Sequence, residues 1–130
     1  MADGSGTGRP FEGKRILVVE DEVIVAMLIE YILSDLGAVV VGPATRNAQA
    51  LELLAQGPVD AAILDVNLGA ETSDPTAREL RARAVPFAFA TGYGAAGVPP
   101  EFEGQATLPK PFREADLRDA LARVLGLAPA

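Results

Sequence analysis

The sequence predicts a doubly wound α/β domain, a five-stranded parallel sheet with helices on both faces. Three observations carry this. Short runs that are apolar throughout alternate with helix-length segments along residues 15–125. The strand-like runs lack the alternation of a half-wet sheet, so both of their faces must be covered. Two of them, ILVV at 16–19 and AAIL at 61–64, run straight into acids, so charge gathers where strands end.

Residues 1–13 (MADGSGTGRPFEG) are Gly-rich and aperiodic. They read as a flexible leader before one domain over 14–126 and a tail over 127–130. RILVV (15–19) reads as the first buried strand. Residues 22–36 are too long for a strand and stop at Gly37, a natural helix terminator. They are apolar nearly all round, interrupted mainly by Glu30 and Asp35, which predicts a heavily buried helix. AVVVG (38–42) is a β-branched second strand, and a helix over 46–55 closes at Gly57-Pro58. DAAILDV (60–66) is the third strand. Asp74 followed by Pro75 predicts a cap and a first helical position for a helix reaching Arg83. VPFAFAT (85–91) is the fourth strand, and residues 92–104 hold too much Gly and Pro for a long helix. QATLP (105–109) is a short fifth strand. The segment 113–125 is an amphipathic helix with Leu117, Leu121, Val124 and Leu125 on one face. Right-handed crossovers leave few topologies for five parallel strands. The natural one is the flavodoxin-like order 2-1-3-4-5, whose ligand crevice lies at the carboxyl ends of strands 1 and 3.

Composition removes several chemistries. The chain has 130 residues and 49% hydrophobic content, enough to build a core. It has no cysteine and no histidine, which excludes disulfides, thiolate metal sites, cysteine or serine–histidine nucleophiles and imidazole ligands. A formal charge of −7 argues against direct binding of nucleic acid. Arg78, Arg81 and Arg83 read as the wet face of a helix. No apolar signal segment or membrane-span-length run is present, so the expectation is a soluble cytoplasmic protein without a membrane partner.

The acids acquire meaning from their placement. Glu20 and Asp21 follow strand 1 and Asp65 ends strand 3, so all three lie at one sheet edge in adjacent strands. Oxygen-only ligands favour Mg²⁺, with Mn²⁺ as the other suitable ion. Strand 4 brings Thr91 to the same edge and strand 5 brings Lys110. A hydroxyl, an ammonium and a divalent cation around a carboxylate form the equipment for phosphoryl transfer to that carboxylate. Glu22, the third acid of the run, reads as the opening of the first helix.

These pieces resemble the receiver domains of two-component response regulators. The matching stretches are VVEDE, ILDVNL, FATGYG and LPKPF, and the resemblance spans about residues 14–126. It implies that Asp65 is the phosphoacceptor, with Asp21 ligating Mg²⁺ and Glu20 doing so directly or through water. It also implies a ligand in the Asn67 backbone carbonyl, phosphoryl contacts from Thr91 and Lys110, and a cis Lys110-Pro111 peptide. PFAFATGYG is similar to the FATGUY branch, found in many stand-alone receivers. With the chain stopping at Ala130, the expectation is a single-domain regulator. It would take phosphate from a histidine kinase or histidine phosphotransferase and signal by contact with a downstream protein. Two positions depart from the family pattern. Thr107 stands where the family has its aromatic switch residue, which leaves Tyr93 and Phe112 as candidate reporters. The Gly/Pro-rich segment between strands 4 and 5 implies a short or distorted fourth helix.

Two other functions compete for these residues. A haloacid-dehalogenase-type phosphatase also uses an Asp nucleophile and Mg²⁺, but carries a second acid two residues later, where this chain has Asn67. A receiver-like module that binds partners without phosphorylation has every chemical position filled and no motif in its favour.

Overall fold

The computed structural model describes residues 10–92 and 97–127. Its strands are β1 (Arg15–Val19), β2 (Val39–Ala44), β3 (Ala61–Asp65), β4 (Asn67–Leu68), β5 (Glu71–Thr72), β6 (Phe87–Thr91) and β7 (Thr107–Pro109). The helices are α1 (Val23–Asp35), α2 (Asn47–Gln56), α3 (Asp74–Ala82) and α4 (Glu114–Val124), with a 3-10 turn at Pro100–Phe102. Five strands form one parallel sheet in the order β2-β1-β3-β6-β7. With the small antiparallel β4–β5 hairpin set aside, that is the expected 2-1-3-4-5 topology.

Period-two alternation sorts the strand side chains into two cores. Ile16, Val18, Ile63, Ala88 and Ala90 pack under α1 and α4 against Ile29, Leu33, Leu117 and Leu121. Leu17, Val19, Leu64, Phe87 and Phe89 pack under α2 and α3 against Leu54, Ala77 and Leu80. The sheet is therefore apolar on both faces, as its continuous apolar strands require. α1 ends in a Schellman motif: Gly37 has φ 85°, its N–H donates to Ser34, and Ala38 N–H donates to Leu33. Gly126 closes α4 in the same way, with Leu127 N–H donating to Ala122 at 2.8 Å.

α1 departs from the sequence-based expectation. Only Ala26, Ile29, Ile32 and Leu33 are buried, while Val23, Ile24, Met27, Leu28 and Tyr31 are exposed, Ile24 by 78%. A helix lying on a sheet has one face to bury, and among the described residues nothing covers the other. Phe11, inside the segment read as a leader, is buried in the α1/α4 core, and Gly13 N–H donates to Gly37. α3 begins at Asp74 with Ser73 in the cap position, one residue earlier than expected, because Ser73 N–H is engaged by Val66 O and closes the hairpin's base.

The three arginines are not simply solvated. Arg78 makes a two-pronged ion pair with Glu101, and Arg81 lies over the Phe102 ring at 4.3 Å. Arg83 bonds Glu79 and the Leu54 carbonyl. Together these tie α3 to the 3-10 turn and to α2. Phe102 drives that turn inward, meeting Phe89 and Phe87 edge-on at centroid distances of 5.5 and 6.1 Å. Phe102→Ala is expected to cost about 3–5 kcal/mol in urea unfolding, because a fully buried ring leaves a cavity. A loss below about 1 kcal/mol would show that the turn does not depend on this anchor.

Among the described residues no helix is long and apolar enough to cross a membrane. Of the segment expected to form a short fourth helix, the described part includes the 3-10 turn at Pro100–Phe102; Tyr93 lies outside the described residues.

Candidate functional site

Each site residue sits where a strand stops. β1 leads into Glu20 and Asp21, β3 ends on Asp65, β6 ends on Thr91, and β7 is followed by Lys110. The register aligns these ends, since Val19 pairs with Leu64, Asp65 with Ala90, and Thr91 with Pro109. Lys110 N–H donates to Thr91 O at 2.9 Å, and the Lys110-Pro111 peptide is cis, as expected.

Glu20 owes its inward position to an irregularity in β2. The β1–β2 register shifts between Leu17 and Val19, where Gly42 takes φ 102° and Pro43 interrupts the ladder. A side chain at Gly42 would meet Val18 O at 3.0 Å, so only glycine fits this bulge. The bulge brings Ala44 O to Glu20 N–H at 2.9 Å, and Glu20 is 1% exposed.

The cavity at this edge has a volume of about 280 Å³ and is lined by Asp21, Glu22, Asp65, Asn67, Gly69, Thr91, Gly92 and Lys110. Lys110 is its hub. Its Nζ lies 3.0 Å from Asp65 Oδ2, 3.0 Å from Glu20 Oε1 and 3.3 Å from Glu22 Oε1. Burial alone would lower the Lys110 pKa. The hydrogen bond to Asp65, the close approach of Glu20 and the charges of both outweigh it and hold the ammonium at about 12. Glu20 is raised as well, up to about 7. Desolvation is the largest cause, followed by its hydrogen bond with Asp65; the Glu22 backbone N–H and Lys110 only partly compensate.

The acidic cluster fits a divalent cation. Glu20, Asp21 and Asp65 each offer an oxygen within 4.8 Å of the others. Glu20 Oε1 is buried with no hydrogen bond directed at it, and its approach to Lys110 is an ion-pair distance without hydrogen-bond alignment. An anionic oxygen in that state calls for a further positive partner. Gly69, at φ 76°, leaves the Asp21 side open, since a Cβ there would stand 3.4 Å from Asp21 Oδ2. The donor set is all oxygen, the chemistry that suits Mg²⁺.

All the candidate site residues converge here except Tyr93, which is not described, and the pair Thr107 and Phe112. Thr107 lies half-buried in β7, and Phe112 is buried in the α1/α4 core. Glu22 opens α1 from its N-cap position, as expected, though without a side-chain cap, and it also reaches Lys110 at the cavity mouth. Its partner lies 88 residues away, so no local pattern could announce it.

The family model described as the response regulator receiver domain matches residues 16–122. The chain belongs to this family of two-component signalling domains. Its fold is similar to the solution structure of SdrG from Sphingomonas melonis Fr1, at 43% identity and TM-score 0.78, covering 87% of this chain and 97% of that one. It is similar also to the BeF3-activated conformation of SdrG from Pseudomonas melonis Fr1, at 45% identity and TM-score 0.74, over 85% of this chain and 95% of that one. A third similar structure is the receiver domain of the sensor histidine kinase PA1611 from Pseudomonas aeruginosa PAO1, with magnesium coordinated in its active-site cleft. That match has 30% identity and TM-score 0.75, over 88% of this chain and 98% of that one. No curated protein matches the chain at a significant level.

Proposed function

We propose that this receiver accepts a phosphoryl group on Asp65 from a phosphohistidine of a kinase or phosphotransferase, and that the phosphorylated form signals by binding a downstream protein. The observation that carries this reading is the convergence of Asp65 Oδ2 and Glu20 Oε1 on Lys110 Nζ, each at 3.0 Å, beside Asp21 and Thr91. Residues placed this way can both charge-balance and orient a transferring phosphoryl group. The magnesium in the PA1611 receiver and the BeF3-activated state of SdrG support the same chemistry here.

Glu20, Asp21, Asp65 and the Asn67 backbone carbonyl would hold Mg²⁺. Bound there, the ion would neutralise charge on the phosphoryl oxygens as they approach Glu20, Asp21, Asp65 and Glu22. Asp65 attacks phosphorus in line, an O–P bond forms, and the P–N bond to the donor imidazole breaks with its electron pair returning to nitrogen. Lys110 and Thr91 then hold oxygens of the new acyl phosphate. Release is by water attack on phosphorus. Asn67, two residues after Asp65, has an amide that cannot take a proton from that water, so the general base that a haloacid-dehalogenase-type phosphatase carries at this position is missing and release is slow. The cytoplasm, where kinases and this ion are available, is the compartment this chemistry fits.

The exposed stripe of α1 supports a place for the donor. Val23 and Ile24 follow Glu22 on the cavity rim, so a protein that brings its histidine to Asp65 meets this apolar surface. A single anchor in such an interface carries roughly 1–2 kcal/mol or more. Ile24→Glu is expected to slow phosphoryl transfer from the protein donor about tenfold or more, while labelling by acetyl phosphate is unchanged. Equal losses with both donors would place the defect in the site rather than in docking.

The cheapest test of the function is incubation with acetyl phosphate and Mg²⁺ followed by intact mass. One phosphate per chain is expected, formed only with the divalent ion present. Many turnovers of small phosphate esters would make the chain a phosphatase, and no adduct would leave a binding module that works without phosphorylation.

A further inference from the structure

The β4–β5 hairpin stands between the site and α2, and a buried amide holds its far side. Asn47, the first residue of α2, is buried, and every hydrogen-bonding group of its side chain is used. Its Nδ2 donates to Glu71 Oε1 at 2.9 Å and to Thr72 O at 2.7 Å. Its backbone N–H donates to Glu71 Oε2 at 3.1 Å. Its Oδ1 accepts from the hydroxyl and the N–H of Thr76, at 2.6 and 3.4 Å. One side chain thus ties together α2, β5 and the first turn of α3.

The other strand of that hairpin is site. Asn67 N–H donates to Asp65 Oδ1 at 3.4 Å, and Gly69 at the turn faces Asp21 Oδ2. β4 and β5 pair through Asn67 with Thr72 and Leu68 with Glu71, so a shift of Glu71 and Thr72 is passed directly to Asn67. A two-residue ladder is too short to hold itself. Its position is therefore set by what grips it: Leu68 buried in the α2/α3 core, the Ser73 N–H to Val66 O bond at the base and Asn47 along β5. The two halves of the acid cluster also belong to different strands, Glu20 and Asp21 to β1 and Asp65 to β3. Asn47 joins the helix following β2, which is paired to β1, to the hairpin following β3.

We infer that Asn47, clamped by Glu71 and Thr76, is a positioning residue that fixes the hairpin, and through it the Asn67 carbonyl and Gly69, against the acid cluster. It touches neither phosphoryl group nor cation. The inference rests on the cation and phosphoryl reading of the site given above.

The test is the Mg²⁺ dissociation constant by calorimetry beside unfolding free energy in urea. Outer groups that orient ligands typically alter metal affinity about 10–100-fold. Asn47→Ala and Glu71→Ala are each expected to weaken Mg²⁺ binding about tenfold, and the double variant no further than either alone. Glu71 is exposed, so its variant folds even where Asn47→Ala does not. Leu54→Ala, which hollows the core under the same helix, is expected to lower stability while leaving Mg²⁺ affinity unchanged. Asn47→Asp sets a carboxylate against Glu71 and should lose affinity, and adding Glu71→Gln should return it toward the native value. Affinity that tracks stability across all these variants, or that is unchanged in Glu71→Ala, overturns the inference. A native chain that binds no Mg²⁺ and takes no phosphoryl group instead overturns the reading beneath it.

Discussion

Asp65→Asn protein is expected to gain no phosphate from acetyl phosphate and Mg²⁺ while remaining folded. The amide has nearly the shape of the carboxylate but no electron pair basic enough to attack phosphorus. The neighbours do not substitute for it. Glu20 is buried behind Lys110, and Glu22 sits at the mouth, more exposed. The same change removes one of the acids facing Lys110 and the hydrogen bond that pushes Glu20 upward. The variant is therefore expected to be at least as stable as the native chain when no divalent ion is present, since it loses a desolvated charge rather than a packed group. An adduct of undiminished yield would remove Asp65 from the role proposed for it.

The second large effect concerns Glu20 and pH. Its carboxyl rises from 4.5 to about 7 in the folded chain, first through desolvation and next through its hydrogen bond with Asp65. The folded state therefore binds a proton that the unfolded state has released between those values. Stability conferred by the protonated form is complete below about 4.5 and declines as pH rises toward 7. Over that window the metal-free protein should lose on the order of 3 kcal/mol. Glu20→Gln, which stays neutral, should flatten this slope and be the more stable protein at pH 8. Mg²⁺ should restore stability to the native chain at pH 8 far more than to the variant, because the cation binds the deprotonated cluster. Urea unfolding at several pH values, with and without Mg²⁺, measures all of these. A native chain whose metal-free stability is flat from pH 4.5 to pH 8 would contradict the buried-carboxylate account.

The fold was legible because its signals are local and repeated. Continuous apolar strands, Gly37 after the first helix and Pro75 at the start of the third mark the elements without reference to the rest of the chain. The site was legible for a related reason: in a parallel sheet the strand ends lie together, so Glu20, Asp21, Asp65, Thr91 and Lys110 could be assembled from topology. What escaped is what depends on distant partners. Apolar residues all round α1 read as burial, because sequence does not tell a face packed on the sheet from one left open. Arg78 and Arg81 found Glu101 and Phe102 more than 20 residues on, and Glu22 found Lys110 across 88. The two-residue strands β4 and β5 are too short to show any periodicity, and Asn47 shows its role only through contacts 24 to 29 residues away.

Mapping the modified residue tests the central claim most directly. Protein treated with acetyl phosphate and Mg²⁺ is reduced with borohydride, which converts an aspartyl phosphate to homoserine, and is then digested and sequenced by mass. Homoserine at position 65, and at no other acid of the cluster, is the predicted result. Reduction at Glu20, Asp21 or Glu22, or at none of them in a sample that carries phosphate, would contradict the assignment of Asp65 as the acceptor.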